Sequence, residues 1–99
     1  MTEDQRLEEE IRRAGRAKEI LENQLFKEAV DEIEESIKQG RLNSAATAVD
    51  LREKLADQER ALYAIISKLK THMETGELAK EEIRRRSLAE KVQDFLQQP

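Results

Sequence analysis

Apolar residues recur at intervals of three and four along nearly the whole chain, and no stretch alternates apolar and polar positions over several residues. That period is helical, because residues three and four apart share one helix face. The first stripe is Leu7, Ile11, Ala14, Ala17 and Leu21. Thr2 followed by Gln5 has the form of a capping box, so a first helix is expected over 3–22. The stripe then changes phase. Leu21 to Phe26 is a step of five, and Asn23, a strong N-cap residue, lies inside it. A kink or break is expected there. A second helix over 24–39 follows, on Phe26, Val30, Ile33 and Ile37. Gly40 reads as its left-handed terminator.

A third helix, expected over 44–75 with Asn43 or Ser44 as cap, carries the clearest pattern. Ala48, Leu55, Leu62 and Leu69 recur every seven residues, and Leu51, Gln58, Ile65 and His72 form a second seven-residue series. Together they make a coiled-coil seam, which Ile66 and Met73 widen. Gly76 reads as the second terminator. A fourth helix over 77–97 carries Leu78, Ala79, Ile83, Leu88, Val92, Phe95 and Leu96. The step from Ile83 to Leu88 is again five. Ser87 with Glu90 either restarts the helix as a capping box or faces water on a continuous one.

The expected fold is all-α: one helical domain over 1–99, built as a long antiparallel hairpin with flanking N- and C-terminal helices and coiled-coil-like packing. The short connection after Gly40 favours the hairpin. The second helix is half the length of the third, so part of the seam is left for the first helix, the fourth helix or another copy. The third helix is therefore expected to make inter-chain contacts, in a homo-oligomer or on a larger protein. Leu55, Leu62, Ile65, Leu69 and Met73 are the expected anchors.

Composition sharpens this picture. The chain has 99 residues, of which 40% are charged and 3% aromatic. Globular domains average about 25% charge, so the core must be thin. The absence of cysteine excludes a disulfide framework and a cysteine-based zinc site. No apolar run approaches the roughly 18 residues of a membrane span. The Met-Thr-Glu-Asp start lacks a basic then apolar segment, so no secretory signal is expected.

Candidate chemistry is sparse. Ser36, Ser44, Ser67 and Ser87 have no evident histidine partner, and the carboxylates have no recognisable acid–base partner. The three glycines are isolated, so no phosphate loop exists. No catalytic residue, metal ligand set or cofactor is expected. His72 and Gln58 read as polar seam residues that fix register. Phe26, Tyr63 and Phe95 read as core anchors. Arg12, Arg13, Arg16 and Arg84, Arg85, Arg86 are candidate phosphate contacts. Against that reading, the net charge is −4, acidic residues sit at pairing distance, and no aromatic lies near to stack on a base. Residues 24–40 carry a net −3, with Asp31, Glu32, Glu34 and Glu35 on the outer face.

Two segments carry a family resemblance: Arg16-Ala17-Lys18-Glu19-Ile20-Leu21-Glu22-Asn23-Gln24-Leu25-Phe26-Lys27-Glu28-Ala29, and His72-Met73-Glu74-Thr75-Gly76-Glu77-Leu78-Ala79. Most of residues 14–80 resembles small, mostly uncharacterised tailed-bacteriophage proteins, helical and encoded near the portal, capsid and packaging genes. That family often has proline where Gln24 stands here, in keeping with a helix start after Asn23. Residues 41–49 depart from it, being shorter and lacking aromatics. The resemblance implies a non-enzymatic structural or assembly protein. Its partners would be itself, capsid, portal or another virion protein, in the host cytoplasm during assembly or in the virion. Two other functions stand beside it. One is a DNA-packaging accessory or small terminase-like protein that uses the arginines. The other is a phage inhibitor of a host enzyme that uses the acidic second helix.

Overall fold

The computed structural model describes residues 1–98, and it is all-α. Three helices make up the fold: α1 (Glu3–Glu22), α2 (Gln24–Asn43) and α3 (Val49–Gln97). Among the described residues no helix is long and apolar enough to cross a membrane.

Both N-terminal signals in the first half of the chain operate as local chemistry dictates. The Thr2 amide donates to Gln5 Oε1 at 2.9 Å, and the Gln5 amide donates to Thr2 Oγ1 at 3.2 Å. This reciprocal pair opens α1 at its expected start. Asn23 leaves the helix at φ −66°, ψ 127°, and its side chain accepts from the Phe26 amide at 2.9 Å. The phase change is therefore a break, with one residue between α1 and α2.

Both glycine terminators are overturned. Gly40 does not end α2, which continues to Asn43; Ser44 then turns extended and its amide donates to the Arg41 carbonyl. Residues 45–48 form the turn, so α3 begins at Val49 rather than Ser44. Gly76 does not end a helix either, because the expected third and fourth helices are one continuous α3. No glycine has positive φ, so neither residue adopts the left-handed cap conformation. Ser87 lies inside the same helix and restarts nothing. The C-terminal flanking helix is thus the continuation of α3.

The chain divides into two compact units, residues 1–18 with 70–98, and residues 19–69. In the first unit, α1 and the C-terminal part of α3 run antiparallel. Gly76 approaches Ala14 and Glu10, and ten residues later Arg86 pairs with Asp4 and Glu3. Small residues form the contact: Ala14, Ala17 and Ala79 are buried with Leu7. A Cβ on Gly76 would collide with the Ala14 methyl and lie 3.2 Å from the Glu10 carbonyl oxygen. Gly76 is therefore a close-approach residue, and a helix interior accepts its conformational cost of about 1 kcal/mol relative to alanine.

In the second unit, α2 and the N-terminal part of α3 form an antiparallel hairpin. Gly40 faces Leu55, Arg41 bridges to Glu59, and Phe26 and Val30 line one groove with Ile66. Ile37, Leu55 and Leu62 are the buried residues. Of the three rings expected as core anchors, only Phe26 is partly buried; Tyr63 and Phe95 are exposed. Tyr63 lies at the rim of the hairpin beside Arg41 and Glu59, and Phe95 lies beyond Arg86, where every described residue is exposed.

Candidate partner-binding surface

The five expected interface residues separate by which side of α3 they occupy. Leu55 and Leu62 are only 7% and 9% exposed, because α2 covers them. They hold the hairpin together and are not free for a partner. Leu69 and Met73 are half-buried, and Ile65 is 57% exposed. The second heptad series does not enter the hairpin: Leu51, Gln58 and Ile65 all face solvent. Gln58 therefore does not set register inside the hairpin, and His72 is half-buried. The half-buried column beside Leu55 and Leu62 is instead Glu59, Ile66 and Met73.

The hairpin has two unlike flanks. On one, Arg41 Nη1 and Nη2 donate to Glu59 Oε2 and Oε1 at 2.8 and 3.1 Å. Asp31, Glu34, Glu35, Lys38 and Tyr63 surround this pair. The Arg41 guanidinium holds the Glu59 carboxyl below the usual glutamate range, through its hydrogen bonds above all. Helical spacing puts the other flank on the far side of Ile37 and Leu55. There α2 presents Leu25, Ala29, Ile33 and Ser36, and α3 presents Leu51, Gln58, Ala61 and Ile65, all exposed. None of these eight carries a charge. Glu28 and Glu32 edge this flank on α2 and Lys68 edges it on α3, while Lys54 falls between Ile65 and Ala61 within it.

A separate apolar stripe lies in the first unit. Beyond Arg86, residues 87–98 are exposed throughout. Leu88, Val92, Phe95 and Leu96 follow the i, i+4, i+7, i+8 spacing of one helix face.

The candidate phosphate contacts are mostly engaged by carboxylates. Arg12 and Arg13 reach Glu9 at 2.7 and 3.7 Å, and Arg84 and Arg85 reach Glu81 at 2.6 and 3.6 Å. Arg86 meets Glu82 at 2.9 Å, Asp4 at 3.0 Å and Glu3 at 3.5 Å. Arg16 is exposed and adds to the field that lowers the Glu9 pKa, where the Arg12 hydrogen bond dominates. Arg84 lowers Glu81 in the same way. Acidic Asp31, Glu32, Glu34 and Glu35 are exposed on α2. Among the described residues no group of three or more His, Cys, Asp or Glu is arranged to hold a metal ion.

Reading the heptads alone misses Leu25, Ala29 and the outward role of Leu51. A signal for them was present: Leu25, Ala29 and Ile33 form a second stripe at i, i+4, i+8 beside Phe26, Val30 and Ile37. A helix with two adjacent apolar stripes has more apolar arc than one neighbour covers.

Fold and surface together define a class, an all-α chain of thin helical units with apolar faces turned to solvent. Comparison with protein-family models, with curated proteins and with solved structures finds no match to this chain.

Proposed function

We propose that this chain is a non-enzymatic structural or assembly protein of a tailed phage, which binds head or other virion proteins through exposed helix faces. The phage assignment rests on the resemblance of residues 14–80. The observation that carries the binding role is the α3 stripe Leu88, Val92, Phe95 and Leu96, exposed on one face of a helix end. An amphipathic helix of this form lays its apolar face into a hydrophobic groove, and residues at i, i+4, i+7 anchor it. Glu90, Lys91 and Asp94, interspersed on the same segment, would set orientation more than affinity.

The packaging-accessory reading draws less support, since Arg12, Arg13, Arg84, Arg85 and Arg86 already pair with carboxylates. Duplex binding with a steep salt slope would revive it. The inhibitor reading draws on the exposed carboxylates of α2, and capture of a host enzyme in place of phage proteins would favour it.

The test is co-purification from infected cells. Tagged wild-type chain should recover portal, capsid or another virion protein. A Val92→Ser, Phe95→Ser variant with unchanged helical circular dichroism should not. Equal recovery by the two, or recovery of host proteins or DNA alone, would overturn the proposal.

A further inference from the structure

The α2–α3 hairpin leaves one mainly apolar flank exposed, with Lys54 as its charged residue. This flank is distinct from the α3 terminal stripe and lies wholly within residues 19–69. Ile33 and Leu51 are each 45% exposed, Ile65 is 57% exposed and Leu25 is 73% exposed. The opposite flank is saturated with charge, so the hairpin is amphipathic across its thickness as well as along each helix.

Charge on this flank argues what covers it. The α2 edge carries Glu28 and Glu32, the α3 edge carries Lys68, and Lys54 lies within the α3 face. Among the described residues Glu32, Lys54 and Lys68 make no ion pair within the chain, and Glu28 only accepts from the Gln24 side chain at 3.2 Å. Glu28 and Glu32 on one edge and Lys68 at a matching height on the other form a self-complementary pattern.

We propose that this flank is the interface of a two-fold homodimer, in which α2 of one copy lies antiparallel across α3 of the other. A two-fold axis running along the helices produces this arrangement. It sets Glu28 and Glu32 of each copy beside Lys68 of the other. The alternative axis, perpendicular to the helices, would stack α2 on α2 and oppose glutamate to glutamate. Gly40 faces Leu55, and Val30 shares a groove with Ile66, so Ile33 lies level with Leu62 and Tyr63 along the hairpin. In the dimer, Ile33 of one copy then meets Ala61 and Ile65 of the other. The proposal shares with the functional reading the premise that exposed apolar helix faces are interfaces, but it concerns a different surface.

The test is molar mass by light scattering and sedimentation on the full chain. Wild-type protein should have twice the 11.5 kDa chain mass. Ile33→Glu with Ile65→Glu should remain helical and raise the dimer dissociation constant at least about 30-fold, the scale of a hot-spot loss. Both residues are exposed in the single chain, so the hairpin itself tolerates the change. Lys68→Glu should weaken the dimer about 5-fold, and adding Glu28→Lys with Glu32→Lys should restore it, as a cross-copy ion pair requires. A monomeric wild type, a dimer indifferent to Ile33→Glu with Ile65→Glu, or the absence of rescue would each overturn the proposal. A monomer that still recovers virion proteins through Val92 and Phe95 would overturn the dimer and leave the proposed function standing.

Discussion

Gly76 of α3 sits so close to Ala14 of α1 that a Cβ on the glycine would overlap the alanine methyl. Two residues without bulk thus set how near these antiparallel helices come. The consequence is opposite in sign to helix propensity. Gly76→Ala would gain about 1 kcal/mol of propensity, but overpacking costs about 1–3 kcal/mol and forces the helices apart. We expect a lower melting temperature, measured by circular dichroism.

Gly15 provides the contrasting case on α1. Nothing lies within 4 Å of where its Cβ would stand, and its φ is not positive. Gly15→Ala should therefore stabilise by about 1 kcal/mol. A shift of that size raises the melting temperature by about 4–8 °C in a domain of this length. An unchanged or lower value would contradict the assignment of an open site.

Leu62 distinguishes core from interface. It is 9% exposed against α2, so Leu62→Asp puts a carboxylate into the hairpin core. The expected outcome is loss of helical signal, rather than clean dissociation into folded chains. Leu62→Ala should cost about 2–5 kcal/mol in urea unfolding. Leu88→Ala, at an exposed position of the single chain, should stay within about 0.5 kcal/mol.

Acid should loosen the hairpin through Glu59. Hydrogen bonds from Arg41 hold its folded-state pKa below the ordinary value. A lowered folded pKa means the contribution is complete above the unfolded value, about 4.3, and is lost as pH falls through the folded value. Urea midpoints measured below about pH 5 should therefore decline. Glu59→Gln should make that decline shallower, and an identical slope would contradict the assignment.

The break at Asn23 rests on one side-chain hydrogen bond to the Phe26 amide. Asn23→Ala should cost about 1 kcal/mol, the usual loss for an N-cap. Asn23→Asp or Asn23→Ser should retain most of the stability, as an acceptor at that position is what the amide requires.

Local chemistry was legible in the chain. The Thr2–Gln5 box and the Asn23 cap act within four residues, so their spacing alone discloses them. Leu55 and Leu62 were legible as apolar seam positions, since the heptad marks the apolar arc, but they read as anchors for a partner and α2 covers them instead. Which part of that arc α2 would occupy was not legible, because α2 packs on the Leu55, Glu59, Leu62, Ile66 side and leaves Leu51 and Ile65 outside. Gly40 and Gly76 were misread for a related reason. A glycine that stops a helix and a glycine that admits a neighbour look alike in one dimension. Only the position of Ala14 or Leu55 tells them apart.

The role of the exposed faces is tested most directly by quantitative mass spectrometry of purified particles and assembly intermediates from the tailed phage proposed as this chain's source. The chain should appear in intermediates, mature particles or both, at a fixed ratio to portal or capsid protein. Its absence from every such particle, together with recovery of the chain on a host enzyme or on DNA, would contradict the account.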